Sequence, residues 1–168
     1  MKYYTGVGSR KTPKDICQKM TEIAAKLESF GYILRSGGAD GADIAFEMGV
    51  KDPDNKHIYL PWKNFNHNPS HRYWAPSREV YTLTKFIHPN YNMLSSASQK
   101  LHARNFYQVL GDDLSTPSDF LICWTENGKE IGGTRTALKV AYVKDIPVYN
   151  LAVKDFDWSI LEKRHDTI

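Results

Sequence analysis

Three glycine-bearing segments carry most of the chemistry this chain can offer. They are Gly6-Val7-Gly8-Ser9-Arg10, Ser36-Gly37-Gly38-Ala39-Asp40-Gly41-Ala42-Asp43 and Gly132-Gly133-Thr134-Arg135. Each follows a short apolar run, and the last two lead into helical patterns. Glycine lets the backbone approach a ligand closely, and free N–H groups at the positive end of a helix dipole attract phosphate or carboxylate. Arg10, Arg35, Arg104 and Arg135 are the candidate counter-charges. A cation at a helix start, as at Arg135, is unfavourable unless an anion lies near it.

The second segment adds acid. Asp40, Asp43 and Glu47 stand at i, i+3 and i+7, within about 60° on one face of a continuous helix. Three carboxylates suit ribose hydroxyls, a divalent cation or an oxocarbenium-like transition state at a sugar carbon. Helix capping would account for Asp40, but not for Glu47 two turns in. Glu47 and Asp43 are therefore the candidate catalytic acids of an N-glycosidic hydrolase, with Asp40 or Asp43 on ribose in a protein that only binds. Neither familiar phosphate motif is complete. Lys11 stands where a dinucleotide fingerprint needs its third glycine, and no GxxxxGK[ST] occurs. His67 and His71 have helical metal spacing but enclose Pro69, so no metal site is assigned. Cys17 and Cys123 lack a neighbouring histidine and read as core thiols.

The elements that must position these loops alternate in type. Apolar runs at Tyr3 to Gly8, Tyr32 to Arg35, His57 to Leu60, Asp119 to Trp124 and Ile146 to Leu151 read as strands. Helical spacing marks Pro13 to about Phe30, with Thr12 as N-cap and Gly31 as C-cap. Further helices follow Gly41, span Gln99 to Leu110, and follow Gly133, with one more expected in the tail. Residues 62–98 form an irregular, aromatic-rich insertion in which Arg78 to Ile87 reads as helix or strand. The alternation predicts an α/β fold, a Rossmann-like three-layer sandwich with a mostly parallel five-stranded sheet. Right-handed crossovers give the strand order 3-2-1-4-5, which brings the three glycine loops to one sheet edge.

The chain's 168 residues, 41% hydrophobic and 24% charged, fit one globular domain and exclude a disordered chain. No run of 18 apolar residues and no secretory pattern occurs, so a cytoplasmic protein without membrane contact is expected. A net charge of +3 with no Lys/Arg run longer than two favours a small phosphate-bearing partner over a long nucleic acid.

The same segments, with Ala45 and Glu47, resemble the SLOG superfamily over about residues 2–151. That group includes the DNA-processing protein A (DprA/Smf) proteins, the LOG-type phosphoribohydrolases and the YpsA-like proteins, and the likeness is greatest to small stand-alone members of bacteria and phages. The resemblance implies a Rossmann-like fold that binds a nucleotide or nucleotide-derived ligand, ADP-ribose-like for instance, as a sensor or sequestering protein. The alternatives are a LOG-related N-glycosidic hydrolase and a minimal single-stranded DNA binder. It also implies a homodimer or higher homo-oligomer. The implied ligand-binding positions are Gly8, Ser9, Arg10, Ser36, Gly37, Gly38, Asp40, Gly132, Gly133 and Thr134. The residue reading adds Asp43 and Arg135. No cofactor is required, although a divalent cation could accompany the phosphate. The LOG signature PGGxGTxxE places a glutamate after its glycines, whereas Gly132 to Lys139 contains no acid.

Overall fold

Five short segments pair side by side, the central ones most deeply buried and the edge strands partly covered, with backbone hydrogen bonding within the sheet plane. The computed structural model describes residues 1–163. Its strands are β1 (Lys2–Gly6), β2 (Tyr32–Ser36), β3 (Lys56–Ile58), β4 (Leu121–Cys123) and β5 (Val148–Asn150). They form one sheet in the order β3-β2-β1-β4-β5, and every pairing is parallel. This is the expected Rossmann-like order. Strand order reverses at β1, so the carboxyl ends of β1 and β4 flank the switch point where doubly wound sheets bind ligands.

The period-2 alternation of the strands sorts side chains into two cores. On one face Tyr4, Leu34, Phe120 and Ile122 meet α1 (Lys14–Ser29) and α2 (Ala42–Met48) through Met20, Leu27 and Phe46. On the other, Leu121 and Cys123 meet α4 (Ser96–Leu110) and α5 (Arg135–Val143) through Phe106, Val109 and Leu138. Thr5 and Arg35 also point to this second face. The Thr5 hydroxyl donates to the main-chain carbonyl of Gln108 at 2.6 Å, and Arg35 Nη1 donates to the Thr116 carbonyl at 2.6 Å. A short α6 (Ile160–Lys163) closes the first core with Phe156 and Ile160. Burial pushes the Cys123 thiol up to about 12, as expected of a core residue.

Two local expectations need correction. Thr12 does not cap α1: Pro13 occupies the cap position, and the Thr12 hydroxyl donates to Ser9 O at 2.6 Å. The cap residue is thus used to fix the first glycine loop. Residues 62–98 are more regular than expected. Arg78–Ile87 is a ten-residue helix, α3, whose N-cap Ser77 accepts from Val80 N. Upstream of it, Trp74 packs edge-on against Tyr59 and Tyr107, which stack with centroids 6.1 Å apart. Those aromatics form a small core beside β3. No helix among the described residues is long and apolar enough to cross a membrane.

Candidate functional site

The loops after β1 and β4 leave a cleft of about 370 Å³ at the switch point. Gly8, Ser9, Arg10 and Lys11 supply one wall, and Thr125, Glu126 and Ile131 to Thr134 the other. Ser9 N donates to Trp124 O at 3.0 Å, which ties the two walls together. Gly41 shapes the first wall from behind. Its φ is +82°, and a Cβ there would lie 2.6 Å from Ser9 O.

The floor comes from two helices. Asp43 stands in the first turn of α2, and Leu101, Arg104, Asn105 and Gln108 lie along α4. The four polar floor residues are almost fully buried, at 4% (Asp43), 7% (Arg104), 3% (Asn105) and 1% (Gln108) exposure. Burial of this kind persists only with partners. Arg104 Nη1 donates to the carbonyls of Gly37 and Tyr59, while its Nε is buried without a partner. Asn105 Nδ2 donates to Gly133 O at 2.8 Å, so α4 also holds the glycine turn of the opposite wall. Asp43 accepts from Ala39 N at 3.2 Å. Burial raises its pKa to about 6, against the opposing pull of Arg104 and of the Ala39 and Gly8 amides. Burial also lowers Arg104 to about 10, with Asp43 acting against that shift and Arg10 adding to it. The site is therefore a cationic rim, Arg10 and Lys11, above a polar floor that holds the Arg104 guanidinium and one carboxyl raised to about 6.

Of the residues expected here, Gly8, Ser9, Arg10, Asp43, Gly132, Gly133 and Thr134 line the cleft. Ser36, Gly37, Gly38, Asp40, Glu47 and Arg135 do not. The Ser36 hydroxyl donates to Gly6 O at 2.6 Å, cross-linking β1 and β2. Gly37 sits beneath the floor, where a Cβ would crowd Gln108, Arg104 and Asp43. Gly38 turns the chain at φ +72° beside Leu60 and Asn68.

The three acids do not share a face, because α2 begins only at Ala42 and Asp40 lies outside it. Asp40 instead accepts from Asn66 Nδ2 at 2.9 Å, with no helix-capping bond. Glu47 points toward the β3 side, paired with Lys56 at 3.0 Å and with Asn68 at 2.9 Å. Arg135 is absent from the cleft lining, its Nε is buried without a partner, and its charge helps to lower His88 and His102. Asn105 and Gln108 were not singled out from sequence. The signal available was polar residues inside the Leu101–Leu110 helical pattern, and it becomes informative only once all of His102 to Leu110 is seen to be buried.

No protein-family model matches the chain, and no curated protein matches it. Among solved structures, it is similar to DNA processing protein A from Helicobacter pylori, described for its single-stranded DNA binding mode. The TM-score is 0.53 at 18% identity, covering 88% of this chain and 63% of the other, so this chain spans a little under two thirds of the neighbour's length. What the two proteins share at that identity is the Rossmann-like α/β fold.

Proposed function

We propose that this protein binds a nucleotide, or a nucleotide-derived ligand, through its phosphate in the β1/β4 cleft. One observation carries the reading: the cleft joins the backbone of Gly8-Ser9 and Gly132–Thr134 to Arg10 and Lys11 at the switch point of a parallel sheet. Backbone amides and guanidinium groups together make a phosphate site. The volume of about 370 Å³ falls at the lower end of the range of small-molecule sites, roughly 300–1,000 Å³, and suits one nucleotide unit. Hydrolysis at a sugar carbon uses a pair of carboxyls. Of Glu47 and Asp43 only Asp43 lines the cleft, and the other carboxyl there, Glu126, belongs to the opposite wall, so the expected catalytic pair is not assembled and the reading is binding, in a sensor or sequestering role.

Thermal unfolding with nucleoside mono- and diphosphates at about one hundred times Kd is expected to add about 2.7 kcal/mol of stability. For a domain of this size that raises Tm by roughly 5–10 °C. Arg10→Ala with Lys11→Ala is expected to remove most of that shift without changing the Tm of the free protein. No stabilisation by any phosphorylated nucleoside overturns the reading.

The fold shared with DNA processing protein A favours a second reading, binding of single-stranded DNA. Anisotropy of a labelled oligothymidylate separates the two. DNA binding through the cleft cations should weaken steeply with salt, with a slope of about −0.7 per phosphate contact. Affinity that is independent of oligomer length beyond one or two nucleotides supports the small-ligand reading.

A further inference from the structure

Resting on the nucleotide reading, the geometry points to Gln108 as the residue that selects the ligand's base: its side-chain amide meets the base edge on the cleft floor while the phosphate stays at the rim.

Gln108 is the most deeply buried of the polar floor residues, with 1% of its surface exposed, yet it lines the cleft. Its main-chain carbonyl accepts from Thr5 Oγ1. Its side-chain amide, in contrast to the Arg104 guanidinium and the Asn105 amide, has no hydrogen-bond partner among the described residues. Arg104 and Asn105 each have a structural task, gripping the carbonyls of Gly37 and Gly133. An amide placed at the bottom of a cleft with both its donor and its acceptor available is costly to bury without a partner, and a ligand supplies one. Space for it is made by the chain itself. Gly37 lies against Gln108 Nε2, and any side chain there would displace the amide.

The walls above the amide fit a flat ring. Leu101 on α4, Val7 after β1 and Ile131 before the glycine turn all line the cleft, and Ile131 is 47% exposed. Apolar flanks with a polar end are the arrangement that receives the faces and the hydrogen-bonding edge of a base. The charge gradient sets the direction. Arg10 and Lys11 are solvent-exposed at the rim, whereas on the floor the Arg104 guanidinium is committed to the Gly37 and Tyr59 carbonyls and its charge is opposed by the Asp43 carboxyl.

The test is calorimetric titration of the intact chain with the four ribonucleoside 5′-monophosphates, ribose 5-phosphate and inorganic pyrophosphate. Wild-type protein should favour one or two of the four nucleotides by about tenfold, the discrimination one or two amide hydrogen bonds provide. Gln108→Met, which keeps the volume and removes the hydrogen bonds, should erase that preference. It should leave ribose 5-phosphate and pyrophosphate within about twofold of wild type. Gln108→Glu, which exchanges the NH2 donor for an acceptor, should reorder the four bases instead of levelling them, and it serves if the methionine variant does not fold. Equal affinity for all four bases in the wild type overturns the inference, and so does an unchanged ranking in both variants. An equal loss of ribose 5-phosphate and nucleotide in Gln108→Met overturns it as well, by showing that the residue shapes the cleft as a whole. In each of those cases phosphate binding survives and the nucleotide-site reading stands. If no probe binds, both fall.

Discussion

Gly37 and Gly133 look equivalent in the sequence, each the second residue of a glycine loop, and their surroundings are opposite. A Cβ at Gly37 would lie 2.8 Å from both Arg104 Cζ and Asp43 Oδ2, inside a buried polar cluster with no room to relax. Gly37→Ala is expected to cost about 1–3 kcal/mol, as overpacking does, measured by urea unfolding. A Cβ at Gly133 would meet nothing within 4 Å, and its backbone is not held at positive φ. Gly133→Ala should therefore leave stability unchanged or raise it by up to about 1 kcal/mol through the unfolded chain. Because Gly133 lines the cleft, the same substitution should weaken nucleotide binding by about tenfold. Stability and binding thus separate at Gly133 and move together at Gly37.

At the scale of elements, α4 is the organiser of the site. It is buried all round from His102 to Leu110, which a surface helix never is. It carries apolar residues to the sheet, Arg104 to the Gly37 loop and Asn105 to the Gly132–Thr134 turn. One helix therefore sets the spacing of two glycine loops that lie 95 residues apart in the chain. Arg104→Met should strand the Gly37 and Tyr59 carbonyls and leave Asp43 without its nearby cation. The expected loss is about 3 kcal/mol, a fall in Tm of roughly 6–12 °C by calorimetry. Adding Asp43→Asn should recover part of that loss, since the double variant no longer holds an uncompensated buried carboxyl.

Across the whole molecule, pH dependence is a contest between buried histidines and Asp43. Burial lowers His57 and His102 to about 4, so between pH 4 and their ordinary value near 6.5 the unfolded chain binds more protons. Their contribution to stability is present above pH 6.5 and is lost as pH falls through about 4. Asp43 acts in the opposite sense. Its raised pKa of about 6 means the folded state holds the extra proton between pH 3.8 and 6, so its contribution is lost as pH rises through that window. With three lowered histidines, His57, His88 and His102, against one raised carboxyl, Tm should rise from pH 4 to 6.5. Asp43→Asn should steepen the rise, and His102→Gln, which removes one histidine contribution, should flatten it. Thermal scans at half-unit intervals read both slopes.

Which parts were legible in the sequence follows from how far apart the interacting residues are. Strand runs, glycine stops, helix periodicity and the order 3-2-1-4-5 rest on local pattern and crossover handedness. That order alone brings the loops after β1 and β4 to one sheet edge. Where a side chain points depends on the phase of its helix and on what packs behind it. The start of α2 at Ala42, one residue past Gly41, separates Asp40, Asp43 and Glu47 into three environments that the i, i+3, i+7 spacing had merged. Asn105 and Gln108 are ordinary polar letters in a helical pattern, and Arg104 only one of four candidate counter-charges, until the sheet on one side and α5 on the other bury them. The sequence by itself determined the scaffold and the sheet edge where the cleft lies, because backbone propensity and apolar periodicity are local. The tertiary structure decided the floor of the cleft, because burial of a polar group is a property of everything folded around it.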